Sequence, residues 1–216
     1  HEVNYLKEIN PKAKVYWIPP ILPEPYFNDM KNKENESNLF NKLREKLNKY
    51  RYRILFTGDL KRASNTIACL WFAKEVFPII KKNLDACFIM VGKNPSKEII
   101  DLAKQEDIFV FPNVPTMKPF YEISDLVVAP LFNPAGIKLK LLEALRYRKK
   151  VVARPEALLG AGLEDVVPHA TDPEEFAKKC IDVLEDLIDY GSVWEKFDEI
   201  YDTKKIVQLI KKLILL

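Results

Sequence analysis

The sequence predicts an α/β protein built on a parallel sheet with helices on both faces. Three observations predict it. From residue 52 onward, short apolar runs alternate with amphipathic stretches of helical period. The runs are apolar throughout, which is the pattern of strands buried on both faces. Two of them, YRILFTG and ACFIMVG, end in the glycines Gly58 and Gly92. In such sheets ligands sit at the carboxyl ends of the strands. The loops to examine are therefore 58–65, 92–96, 112–118 and 131–140.

The elements follow in order. AKVYWIPPILPEP (13–25) is a strand-like run that stops in Pro19, Pro20, Pro23 and Pro25, which fix the backbone and reject helix. Leu39, Phe40, Leu43 and Leu47 recur at helical spacing between residues 38 and 50. Five strands are then expected, at 52–58, 86–92, 108–114, 125–131 and 150–154, with a short sixth at 164–170. Between them lie a helix at 64–82, opening on a Ser64/Asn65 cap and bent or restarted at Pro78. A short helix at 95–105 starts at proline and serine, and a helical turn covers 116–124. The stretch after Gly136 supplies another helix. Asp172 and Pro173 open a helix over 172–190, and an amphipathic helix over 203–216 closes the chain.

Composition narrows the function classes. The chain has 216 residues, 48% hydrophobic and 30% charged, the balance of an ordinary soluble globular protein. A net charge of +3 is too small to argue for nucleic acid. Cys69, Cys87 and Cys180 are scattered without metal spacing, which suits core packing in a reducing cytosol. No apolar run reads as a signal peptide or a membrane span, so a cytoplasmic location is expected. The chain opens with His1 rather than Met, which points to a fragment or a tag remnant with sequence missing before it.

The loops carry the candidate chemistry. TGDLKRASN leaves the first strand through Gly58, which lets a ligand approach the backbone, and enters a helix whose first amides suit an anion. Lys61 and Arg62 add charge, and Asn65 stands at the helix start. Taken alone, this loop reads better as a solvated turn. VGKNPS repeats the device with Gly92 and Asn94, and FPNVP exposes backbone near Val114 that could read a nucleobase edge. GIKLKLLEA is the most informative stretch. Gly136 permits close approach, Ile137 and Lys138 follow, and Lys140 falls in the first turns, where a phosphate would sit. Glu143 lies three residues on, on the same helical face, where a carboxylate can accept from two ribose hydroxyls. The plainer reading is a Lys–Glu surface pair, but its place at the crevice argues against that. His169 pairs with nothing in sequence, and no Ser/His/Asp pattern or zinc spacing stands out, so metal-free chemistry is expected.

From about Tyr52 to Leu187 the chain resembles the donor-binding, C-terminal domain of group 1 glycosyltransferases, the retaining class with the GT-B fold. The resemblance rests on SNTIACLWFAKEVFP, VGKNPS, NVPTMKPFYEISDLVVAPL and GIKLKLLEAL in that order. It implies a Rossmann-like domain that binds a nucleotide sugar, UDP- or GDP-linked, and transfers the sugar without a metal or other cofactor. It matches Gly58 to the glycine beside the donor diphosphate, Gly92 to the second turn glycine and Gly136 to the donor-sugar loop. It matches Lys140 to a phosphate-neutralising lysine, the catalytic candidate, and Glu143 to the ribose-binding glutamate. Asp59 and Ser64 stand where the broader family has Arg and Lys, and Ala135 where it has a glutamate. Lys61 or Arg62 would compensate for the first two.

By the same resemblance, residues 1–25 would connect to a missing N-terminal domain and 26–216 would be the donor-binding domain. The acceptor would be a glycan or lipid-linked sugar, as in glycan or polysaccharide biosynthesis at the inner face of a membrane. The apolar stripe Ile206, Leu209, Ile210, Leu213 and Leu216 opposes Lys204, Lys205, Lys211 and Lys212. Packing on its own domain is the favoured reading of that helix, and contact with a membrane surface the sharper one. The rivals are a non-catalytic donor-binding subunit completed by a second chain, another GT-B enzyme such as a sugar-nucleotide epimerase, and an unrelated doubly wound binding domain.

Overall fold

The computed structural model describes residues 2–22, 33–133 and 136–215. In chain order these form α1 (Glu2–Ile9), α2 (Lys33–Leu47), β1 (Tyr52–Thr57) and α3 (Ala63–Trp71). A π-helical turn (Phe72–Val76) runs into α4 (Phe77–Asn83), then β2 (Ala86–Gly92), α5 (Lys97–Leu102), β3 (Ile108–Pro112) and α6 (Lys118–Ile123). The chain continues through β4 (Leu126–Ala129), α7 (Leu139–Arg146), β5 (Lys150–Ala153) and α8 (Pro155–Leu158). It ends in α9 (Pro173–Leu184), α10 (Gly191–Tyr201) and α11 (Thr203–Ile214).

The five strands form one parallel sheet in the order β3-β2-β1-β4-β5. The chain leaves β1 toward β2 and later crosses back to β4 on the other side. The strand order therefore reverses between β1 and β4, and a crevice opens at their carboxyl ends. Every residue of β2 and β4 is buried, as expected for strands covered on both faces. On one face α4 packs on α9, and α5 on α3; on the other α2 packs on α6, with α7 against β4 and β5. Phe72, Phe77, Phe88 and Phe176 form an aromatic cluster within the core, with Trp71 against Phe176 at 5.4 Å.

Proline explains three departures from the sequence pattern. The run expected as a strand at 13–25 has no regular structure from 13 to 22, and 23–25 lie outside the described residues. Pro19 and Pro20 have no N–H for a ladder. The expected helix over 64–82 is continuous in direction but changes pitch. Pro78 cannot donate, and just before it the Phe77 N–H reaches back five residues to the Phe72 carbonyl. The expected sixth strand shrinks to one bridge between Ala153 and His169, because Pro168 interrupts it. Around that bridge, Ala153 N donates to Pro168 O at 3.1 Å and Ala170 N to Ala153 O at 3.2 Å.

The open edge of β5 has a second cover. The Tyr190 hydroxyl accepts from Val151 N and donates to Val151 O, both at 2.6 Å. A buried tyrosine thus fills the ladder position a sixth strand would have taken. All three cysteines are buried and unpaired.

Candidate functional site

At the β1/β4 switch point lies a cleft of about 330 Å³ lined by Gly58, Asp59, Arg62, Ser64, Asn65, Leu131, Asn133, Ile137, Lys138, Leu139 and Lys140. Its walls are the loops after β1 and β4 and the first turn of α7. Six expected residues meet here: Gly58, Arg62, Asn65, Ile137, Lys138 and Lys140. Asp59, Ser64, Leu131, Asn133 and Leu139 join them without having been singled out for it.

Lys140 lines the cleft from α7. It sits in the first turn of α7, a helix whose buried stripe Leu141, Leu142, Ala144 and Leu145 packs inward. That packing turns the lysine toward β1. Its Nζ donates to Asn65 Oδ1 at 2.7 Å and stands 4.3 Å from the centre of the Phe56 ring. Burial lowers its pKa to about 8, and the charges of Arg62 and Lys138 push the same way. Cys69 and Glu143 oppose the shift. The cleft therefore holds a lysine at the edge of its charged range, with two more cations around it.

Gly58 is favoured by its backbone and closely approached by its neighbours. With φ +153° it holds a backbone that L side chains rarely adopt, and a Cβ there would lie 2.7 Å from Lys140 Nζ and 2.9 Å from Asn65 Nδ2. The space that the sequence reads as room for a ligand is occupied, at least in part, by this pair.

Ser64 and Asn65 do not cap α3 as expected. The N-cap is Arg62, without a side-chain cap bond. Asn65 is buried and spends its amide elsewhere: Nδ2 donates to Asp59 O at 2.8 Å while Oδ1 takes the lysine.

Glu143 lies beside the cleft rather than in its lining. Tyr121 OH donates to its Oε2 at 3.3 Å and also meets Thr57 Oγ1 at 3.3 Å. Burial raises the Glu143 pKa, while Tyr121 and Lys140 pull it back. The Tyr121 ring stacks on Tyr147 at 4.6 Å, which fixes the donor's direction. Tyr121 was not foreseen: it lies in α6, and only the packing of that helix brings its hydroxyl to Thr57 at the carboxyl end of β1.

The remaining candidates stand apart from the cleft lining. Lys61 is exposed, and its backbone N donates to Asp59 Oδ1 at 3.2 Å. Gly92 is glycine for an internal reason: a Cβ would lie 1.6 Å from the Gly58 carbonyl oxygen. The β2 turn is thus packed against the β1 turn. Asn94 has φ +50°, and its N–H is held by Asn113 Oδ1 at 3.2 Å, which ties the loop after β2 to the loop after β3. Val114 packs against the core. Gly136 has φ +66° with open space around its missing Cβ, so the backbone conformation alone explains it. Ala135 lies outside the described residues.

Sequence reading also passed over Arg154. It follows β5, is buried, and lies 4.1 Å over Phe132 and 5.4 Å from the Trp71 ring. One nitrogen donates to Thr171 O at 2.5 Å and another to Glu156 Oε1 at 3.2 Å. Phe132 sits between the lining residues Leu131 and Asn133, so this arginine supports the lip of the cleft. Among the described residues, no group of three or more His, Cys, Asp or Glu is placed to hold a metal ion. Among them, too, no helix is long and apolar enough to cross a membrane.

A doubly wound parallel sheet with a cationic cleft at its switch point is the architecture of an α/β ligand-binding domain. Residues 51–186 match the family of glycosyl transferases group 1, and the chain belongs to that family. A Klebsiella pneumoniae protein described as an uncharacterized 44.6 kDa protein in the cps region is 24% identical over 222 residues, covering 95% of this chain and 53% of its own length. The chain thus spans about half of that relative. A glycosyltransferase from Rickettsia africae ESF-5 superposes with a TM-score of 0.70 at 17% identity, over 98% of this chain and 61% of that one. Anabaena Alr3699/HepE in complex with UDP-glucose superposes with a TM-score of 0.59 at 18% identity, over 81% of this chain and 52% of that one. These likenesses agree with the expected fold class, a Rossmann-like parallel sheet with helices on both faces.

Proposed function

We propose that this chain is the donor-binding half of a glycosyltransferase, and that the cleft at the β1/β4 switch point receives the diphosphate of a nucleotide sugar. The observation that carries the reading is the Lys140 ammonium, held at the start of α7 inside a cleft that Arg62 and Lys138 also line. Three cations and a helix start converge where a dianionic leaving group would develop charge. Lys140 is the catalytic candidate, because it would touch the phosphate oxygen that takes the electron pair as the sugar–oxygen bond breaks. Glu143, beside the cleft, would accept from the ribose hydroxyls. Uridine is the first nucleoside to try, since HepE is described in complex with UDP-glucose. GDP remains the alternative. The acceptor, a glycan or lipid-linked sugar, would be held by a domain that this chain does not supply.

A thermal-shift titration with UDP, GDP and ADP tests the reading. Ligands that bind only the native state raise its melting temperature by mass action. One diphosphate should raise it, and the corresponding nucleoside, lacking the phosphates, should not. No rise with any diphosphate, or an equal rise with the bare nucleoside, would sink the assignment of the cleft to phosphate.

A further inference from the structure

We propose that Asn65 is a positioning residue for the Lys140 ammonium, holding it at the cleft without neutralising it. The inference rests on the phosphate-binding reading above and adds the means by which Lys140 is kept in place. The two ends of the Asn65 amide are assigned by their partners: the NH₂ donates to Asp59 O at 2.8 Å, so the oxygen must face the lysine at 2.7 Å. Turning the amide over would set a donor against an ammonium and an acceptor against a carbonyl. Asn65 is only 6% exposed, so neither group finds water readily.

The residue type matters electrically. An amide oxygen accepts from Lys140 and leaves its full positive charge for an incoming anion. A carboxylate in the same place would pair with it and also oppose the Asp59 carbonyl. Gly58 belongs to the same device, because any side chain there would strike both Lys140 Nζ and Asn65 Nδ2. Phe56 floors the pair from β1. The charged and titratable groups acting on Lys140 are Arg62 from the α3 start, Cys69 from α3, and Lys138 and Glu143 from the α7 region. Asn65 differs from all of them in accepting a hydrogen bond from Lys140 with a group that does not titrate.

The test is a double-mutant cycle on the 216-residue chain, with UDP affinity measured calorimetrically for wild type, Asn65→Ala, Lys140→Met and the double variant. The proposal expects N65A to weaken UDP at least about 10-fold, and expects the double variant to bind no worse than K140M alone. Equal binding by N65A and wild type overturns it. So does a loss that adds fully to that of K140M, which would mean a direct donor contact or a general loop defect. Asn65→Asp supplies a second readout: the pH above which UDP binding declines should move up, since a carboxylate holds the proton on Lys140. An unmoved decline counts against the proposal.

Reductive methylation of Lys140, followed by mass spectrometry, needs no nucleotide. N65A should raise its rate several-fold, and an unchanged rate refutes positioning. If the rate rises but wild type binds no diphosphate, the positioning stands as geometry and the phosphate reading fails.

Discussion

At the residue scale, Lys140 makes the strongest claim, and its depressed pKa gives that claim a sign. The charged form is disfavoured in the folded chain, so between about 8 and the ordinary lysine value of 10.5 the unfolded chain binds more protons. Stability of wild type relative to Lys140→Met should therefore rise as pH climbs through that window, as read by denaturant melts from pH 7 to 10.5. A flat difference would show that burial does not shift the lysine. Diphosphate binding should run the opposite way. The anion favours the ammonium, so affinity should fall as pH rises above about 8.

Glu143 offers a complementary discrimination. Glu143→Gln should weaken UDP about 10-fold without weakening inorganic pyrophosphate, because only the nucleotide carries ribose hydroxyls. Equal loss for both ligands would remove the ribose assignment. These two residues were legible in GIKLKLLEA from their distance to Gly136. Asn65's bond to Lys140 was not, because the partners are 75 positions apart and no local pattern encodes that pairing.

At the scale of elements, glycines and caps separate what local sequence shows from what tertiary packing decides. Gly92→Ala should destabilise the fold severely, by more than about 4 kcal/mol, or prevent folding, since its Cβ would overlap the Gly58 carbonyl. Wild-type-like urea melts for that variant would contradict the close approach of the two turns. Asp172 caps α9 by accepting from Glu175 N at 2.8 Å, so Asp172→Ala should cost about 1 kcal/mol.

Ser64→Ala should change stability by less than about 0.5 kcal/mol, because Arg62 rather than Ser64 occupies the cap position. The same chemistry of Ser, Asp and Asn signals helix starts in both places. At α9 the signal is local and holds. At α3 the polar residues are drawn to the cleft instead, which is where sequence reasoning is expected to fail. Helix α10 was missed although Val193, Phe197 and Tyr201 recur at four-residue spacing and are all buried. The sequence pattern carries the preceding helix through 190, acidic run included, whereas α9 stops at Leu184, and no element was expected at 191–201.

At the scale of the whole molecule, the five parallel strands and their order of appearance were legible, because fully apolar runs separated by amphipathic stretches leave few alternatives. Of the four loops expected to matter, 58–65 and 131–140 line the cleft and 92–96 and 112–118 do not. The sheet's far edge was not legible. A sixth strand was expected there, and the chain uses one bridge and the Tyr190 hydroxyl instead.

The chain spans about half of its Klebsiella relative, so the acceptor side is a proposal about a further domain. The exposed Tyr16, Trp17, Ile18 and Ile21 lie in the segment expected to lead toward it. On the proposed function, the part that falls to this chain is holding the donor. The most direct measurement is a crystal structure of the chain with UDP. The account predicts the diphosphate in the cleft between Gly58 and the first turn of α7, with a phosphate oxygen within hydrogen-bond reach of Lys140 Nζ. A nucleotide bound elsewhere, or bound in the cleft with its phosphates turned away from Lys140, would contradict it.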